Sequence, residues 1–164
     1  MLVMGVDPGL ARTGYGLVGR DSSGLVPVSW GCIYTPAGES LGGRLLRLYR
    51  ALEGLLERYR PGCLALEQVF FSRNVRTALE VGQARGIVVL AAARAGVELR
   101  EYNPLTVKQA VAGYGGATKS QVQRMVQMLL DLAERPEPDD AADALALAIC
   151  CAERLNLERM VTPP

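Results

Sequence analysis

Residues 2–16, LVMGVDPGLARTGYG, decide how the rest of this chain is read. The apolar run Leu2-Val3-Met4 passes Gly5 and Val6, reaches the acid Asp7, and meets Pro8-Gly9. Proline cannot donate into a ladder, so a strand ends at Asp7. A continuous apolar run closed by turn residues predicts a central strand covered on both faces. Open α/β sheets place their sites at the carboxyl ends of such strands. Asp7 therefore either caps a turn or contributes to a site.

Working outward, Tyr15–Arg20 and Leu25–Tyr34 read as two more strands joined by Asp21-Ser22-Ser23-Gly24. Three strands in succession predict an antiparallel meander. Leu41, Leu45, Leu48, Leu52 and Leu55 then recur at helical spacing, ended by Pro61-Gly62. Cys63–Val69 reads as a short apolar strand, 70–74 as a loop, and Thr77–Ala95 as a second helix. Gly82, Ala84, Gly86 and Ala91-Ala92-Ala93 let another backbone approach that helix, at a subunit contact or within its own domain. Val97–Tyr102 is a fifth strand, followed by a helix from Pro104 through Ala112. Thr118 and Gln121 form a capping-box pattern for a helix to about Leu132. After Pro136 and Pro138 a last helix runs from about Asp139 to Leu155. The order β-β-β-α-β-α-β-α-α-α predicts an α/β fold whose mixed sheet is antiparallel first and parallel later. We expect one domain over 1–156 and a short, loose tail over 157–164.

Three further acids stand in apolar surroundings. Glu67 sits among Leu64, Ala65, Leu66 and Val69, which places it on a wet edge or in a site. Asp140 and Asp143 are three apart on the last helix and share a face, while Asp139 is suited to cap that helix. Two bare charges ~4 Å apart cost about 4 kcal/mol at an effective dielectric near 20. Acids gathered in a pocket must therefore be protonated, salt-bridged or neutralised by divalent cations. Oxygen-only ligands point to Mg²⁺ or Mn²⁺, and a pair of such ions suits phosphoryl displacement. Scattered surface acids are the competing reading.

The bulk composition narrows the classes. The 164 residues are 49% hydrophobic and 21% charged, with 18 basic against 17 acidic side chains and a net charge of +1. Global charge says nothing about nucleic acid, but its distribution does. No acid lies between Glu101 and Asp131, while Lys108, Lys119 and Arg124 do, with Arg73, Arg76 and Arg85 just upstream. A basic side facing an acidic pocket is what a metal-dependent enzyme on a polyanion needs; two solvated faces would look the same. With no histidine, imidazole catalysis and histidine ligation are excluded. Cys32, Cys63, Cys150 and Cys151 show no CxxC pairing and read as small core residues in a reducing compartment. We expect no signal peptide, and no wholly apolar stretch, Ile87–Ala93 included, is long enough to span a bilayer. We expect a soluble, cytoplasmic protein with no membrane association.

Five segments together identify a relationship: GVDPGLARTGYG at 5–16, ALEQVFFSRN at 65–74, GQARG at 82–86, KSQVQ at 119–123 and DAADALALA at 140–148. In this order and spacing they resemble the RuvC family of Holliday-junction resolvases over nearly the whole chain. The resemblance implies a ribonuclease H-like fold, a five-stranded mixed sheet flanked by helices. By similarity, Asp7, Glu67, Asp140 and Asp143 match the metal-binding catalytic acids and would hold Mg²⁺, with Mn²⁺ able to substitute, two ions per site. Phe70 matches an aromatic beside the site that stacks on unpaired bases at the crossover. Lys108 and Lys119 match positions that neutralise DNA phosphate, and Arg73, Asn74 and Arg76 are further candidate contacts. The resemblance also implies a homodimer on four-way junction DNA, whose near two-fold symmetry a closed dimer would match, and the RuvA–RuvB branch-migration complex as partner. The helix of Gly82 and Gly86 is the expected contact. DPGLARTG at 7–14 also resembles the phosphate loop of actin- and hexokinase-like ATPases, but those need two domains and a second loop. A related nuclease on another branched DNA or RNA is the remaining alternative.

Overall fold

A computed structural model describes residues 1–68 and 75–161. Its elements follow the expected order: β1 (Leu2–Asp7), β2 (Arg12–Asp21), β3 (Gly24–Tyr34), α1 (Leu41–Tyr59), β4 (Cys63–Glu67), α2 (Val75–Ala95), β5 (Glu98–Tyr102), α3 (Pro104–Ala112), α4 (Lys119–Leu129) and α5 (Asp139–Val161). The five strands form one sheet in the order β3-β2-β1-β4-β5. β1 pairs antiparallel with β2 and parallel with β4, and β5 extends the parallel half. β1 ends at Asp7, immediately before Pro8, as its sequence requires.

Alternation along β1 and β4 divides the interior into two cores, because successive side chains point to opposite faces. Met4, Val6, Leu64 and Leu66 pack with Leu48, Leu52 and Leu56 of α1 and Ala84, Val88 and Ala91 of α2. Val3, Cys63 and Ala65 face the other way, against Leu145 and Ile149 of α5, Val107 and Val111 of α3, and Val122 and Val126 of α4. α5 is buried from Ala141 to Ala152, Asp143 apart.

The seam between α5 and the sheet is made of glycine. A Cβ on Gly5 would stand 1.9 Å from the Ala144 carbonyl oxygen, and one on Gly14 1.9 Å from that of Asp140. Gly5 pairs with Gly16 and Asp7 with Gly14 across β1 and β2. The missing side chains let the helix backbone rest on the sheet backbone.

Several expectations need correction. Asp139 is the first residue of α5 rather than its cap: its Oδ1 accepts from Gln123 Nε2 at 2.9 Å. Helix α5 continues past Leu155 to Val161, and Arg100 of β5 donates to Glu158 on this added stretch. α4 stops at Leu129 rather than Leu132. β4 ends at Glu67, and Val69 lies outside the described residues. The capping box is present as read: Thr118 Oγ1 accepts from Gln121 N–H, and Gln121 Oε1 accepts from Thr118 N–H. Three of the four cysteines are core residues and all four are free, but Cys32 is only half-buried. No helix among the described residues is long and apolar enough to cross a membrane.

Candidate active site

Register brings the first two acids together. β1 and β4 pair in parallel from Val3–Cys63 to Val6–Leu66. One step further along both strands stand Asp7 and Glu67, on neighbouring strands about 4.8 Å apart. Gly5 and Ala65, two residues back, face α5, so the period of two turns Asp7 and Glu67 toward α5 as well. The glycine seam then sets the first turns of α5 directly over this strand end, which carries Asp140 and Asp143 to the same place.

The result is a cleft of about 200 Å³ lined by Asp7, Glu67, Asp143, Lys108 and Lys119, with Pro104, Val107, Val122 and Leu147 as apolar wall. Burial, followed by the charges of Asp143, Asp140 and Glu67, pushes the pKa of Asp7 up to about 7. Burial and the Asp143 charge raise Glu67, while Lys108 and Lys119 pull it down. Burial likewise raises Asp143 against the opposing hydrogen bond from Lys119. Lys119 Nζ stands 2.9 Å from Asp143 Oδ2 and 3.7 Å from Asp139 Oδ2, and the bond to Asp143 raises its own pKa. Asp140 Oδ2 is buried with no hydrogen-bond partner, and Arg12 Nε approaches it at 3.4 Å.

Burial first, and then repulsion among neighbouring carboxylates, raises the pKa values of Asp7, Glu67 and Asp143, which is the physical signature of crowded acids drawn out of water. The donors are all oxygen, one of them an orphaned buried atom, which suits a hard divalent cation. Among the described residues, no three histidine, cysteine or acidic side chains already converge at metal-ligand spacing. Lys119 and Arg12 supply the compensating charge to Asp143 and Asp140 instead.

Of the residues singled out by sequence, the structure gathers Asp7, Glu67, Asp143, Lys108 and Lys119 in one cleft. Asp140 stands beside it, close enough for its charge to act on Asp7 and Asp143. Arg76, on the first turn of α2, is 90% exposed and pairs with Glu80 at 3.5 Å. Phe70, Arg73 and Asn74 lie outside the described residues. Arg85 does not join the basic outer side: it turns inward onto β4 and β5. Three contributors escape a sequence reading. Arg12 lies inside the diagnostic first segment, yet its partner Asp140 is remote in the chain. Pro104 and Val107 look like ordinary helix residues until α3 is seen to wall the cleft.

Comparison with known proteins identifies the family. The family model described as crossover junction endodeoxyribonuclease RuvC matches residues 3–151. The crossover junction endodeoxyribonuclease RuvC of Heliobacterium modesticaldum is 54% identical over 156 residues, 95% of this chain and 96% of its own length. Thermus thermophilus RuvC, solved in complex with a Holliday junction substrate, superposes with a TM-score of 0.91 at 37% identity over 96% of each chain. The yeast mitochondrial resolvase Ydc2 shares the fold at a TM-score of 0.61 and 13% identity, over 97% of this chain and 86% of its own. The expected ribonuclease H-like class of the sheet is thus met. With carboxylates from β1, β4 and α5 drawn to one cleft, and with these similarities across almost its full length, the chain belongs to the RuvC family of crossover junction endodeoxyribonucleases, hydrolases acting on DNA.

Proposed function

We propose that this chain resolves Holliday junctions by hydrolysing phosphodiester bonds in two symmetric strands, in a divalent-cation-dependent reaction serving recombination and DNA repair in the cytoplasm. One observation carries the reading: Asp7 and Glu67 stand side by side at the ends of two parallel strands, in one cleft with Asp143, Lys108 and Lys119. Asp7, Glu67, Asp140 and Asp143 would hold Mg²⁺ or Mn²⁺, two ions per site, supplying an activated water and charge stabilisation at the scissile phosphate.

The chain's own groups have separate tasks. Lys108 and Lys119 neutralise the backbone of the bound strand, and Lys119 exchanges its bond to Asp143 for phosphate as DNA enters. Asp7, with a pKa of about 7, must give up its proton before it can act as a ligand. Asp140 must likewise exchange the nearby Arg12 guanidinium for a cation, which leaves a partly exposed arginine free beside the DNA path. The apolar wall of Val107, Val122 and Leu147 lowers the local dielectric and strengthens each of these interactions. By family resemblance, Phe70 would stack on unpaired bases at the crossover, and Arg73, Asn74 and Arg76 are further candidate DNA contacts.

A homodimer matches the symmetry of the substrate. The structure supports α2 as its seam: Leu79, Gly82, Gly86, Val89 and Leu90 lie outward along one face, and side chains added at either glycine would meet nothing within 4 Å. Leu79 is 60% and Leu90 51% exposed. The RuvA–RuvB branch-migration complex is the partner that the resemblance implies.

The test compares cleavage of a synthetic four-way junction with that of a linear duplex, in Mg²⁺ and in excess chelator. Cutting of the junction alone, lost in chelator, is expected, and equal cutting in chelator would overturn the reading. Asp7→Asn, Glu67→Gln and Asp143→Asn are each expected to abolish cleavage and to leave junction binding in chelator intact.

A further inference from the structure

The sequence places Arg85 among the outward basic residues, but its side chain is only 17% exposed. Nη1 donates to the backbone carbonyl of Glu67 at 2.9 Å. Nη2 pairs with the Glu101 carboxylate on β5. The N–H of Gln68 belongs to the same peptide unit as that carbonyl, and it donates to the Tyr102 carbonyl at 2.9 Å. Both polar groups of the peptide plane that follows Glu67 are thus tied, one to α2 and one to β5.

That plane defines ψ of Glu67, and backbone angles select which rotamers a side chain can take. A strand-end carbonyl is ordinarily satisfied by water at no structural cost. Drawing a guanidinium inward for it costs desolvation, which Glu101 offsets through its charge. The charge-assisted bond that results is stronger than a neutral one.

We propose that Arg85, held by Glu101, is a positioning residue of the nuclease site: by clamping the Glu67–Gln68 peptide it keeps the Glu67 carboxylate directed into the cleft. This rests on the role proposed above for Glu67 as a catalytic acid. Arg85 touches neither substrate nor cation, and acts only through the backbone it holds.

The test compares Arg85→Gln, Arg85→Lys and Glu101→Gln with the unaltered full-length chain. Four quantities are measured: the Mg²⁺ concentration for half-maximal single-turnover cleavage, the calorimetric affinity for Mn²⁺ without DNA, junction binding in chelator, and the thermal midpoint. Partners that orient metal ligands are typically worth roughly 10- to 100-fold in affinity or activity. Arg85→Gln is therefore expected to raise both the Mg²⁺ midpoint and the Mn²⁺ dissociation constant by about tenfold or more. Glu101→Gln should shift both less, in the same direction, and Arg85→Lys should recover part of the loss. Junction binding in chelator should not change.

Wild-type Mn²⁺ affinity in Arg85→Gln would overturn the proposal. So would an effect confined to the thermal midpoint with Glu101→Gln inert, which would make Arg85 a stability residue only. If Arg85→Gln does not fold, Glu101→Gln decides, and unaltered Mn²⁺ affinity in it counts against the clamp. Failure of the unaltered chain to cut a junction would instead strike the functional reading, because the Mn²⁺ measurement needs no cleavage.

Discussion

Asp7 stores a pH dependence that can be read without any substrate. Its carboxyl titrates near 3.8 when unperturbed and at about 7 in the fold. Between those values the folded chain binds more protons than the unfolded one, so stability falls as pH rises. The contribution is fully present below about pH 4 and is lost as pH climbs through about 7. Glu67 and Asp143, whose pKa values are also raised, act in the same direction. In chelator, the thermal midpoint should therefore be higher at about pH 5.5 than at about pH 8, and Asp7→Asn should flatten the difference. Added Mg²⁺ should restore more stability at the higher pH, because a cation binding the folded form alone stabilises it by mass action. Calorimetry in both buffers checks the sign. Lys119→Ala should weaken junction binding and reduce the slope of log affinity against log salt by about one, the share of a single phosphate contact. Fluorescence titration across salt concentrations measures that slope, and an unchanged value removes Lys119 from the interface.

Among the elements, α5 and β1 depend on each other most. A methyl group at Gly14 would meet the Asp140 carbonyl oxygen at 1.9 Å and the Ala141 nitrogen at 2.9 Å, both backbone atoms that cannot rotate away. Gly14→Ala should destabilise the chain by about 3 kcal/mol or more. It should also remove cleavage beyond what the stability loss explains, by lifting the two acids of α5 off the strand end. Denaturant midpoints beside cleavage rates under folding conditions separate the two effects. The strands and helices themselves were legible because their signals are local: leucines at helical spacing, a proline after Asp7, a threonine three residues before Gln121. The acids were legible as isolated charges in apolar runs. What stayed hidden depends on partners far along the chain. Gly5, Gly14 and Gly16 look like weak strand residues until a helix more than a hundred positions later lies on them. Arg85 reads as one more surface cation until Glu67 and Glu101 close around it. The stretch of α5 beyond Leu155 pairs through Glu158 with Arg100, a partner that no pattern within that helix announces.

For the whole molecule, the exposed face of α2 and the acidic cleft that each chain carries make a shared prediction. Leu79→Glu with Leu90→Glu should give a monomer by light scattering, with the midpoint of thermal unfolding little changed because neither side chain belongs to the core. That monomer should nick one strand of a junction at a time rather than resolve it, as denaturing gels of the products would show. A dimer unaffected by both charges would place the seam elsewhere.

Many of the arginines are engaged within the chain itself: Arg20 with Glu153, Arg47 with Glu39, Arg76 with Glu80, Arg85 with Glu101, Arg100 with Glu98 and Glu158. With these arginines paired, the pull on DNA comes from the local basic side of Lys108, Lys119 and Arg124 rather than from the surface at large. Encounters with unbranched stretches should thus be brief, and the protein should sample a genome by frequent release and recapture rather than by prolonged sliding. Selectivity for branch points would then begin with how quickly everything else is let go.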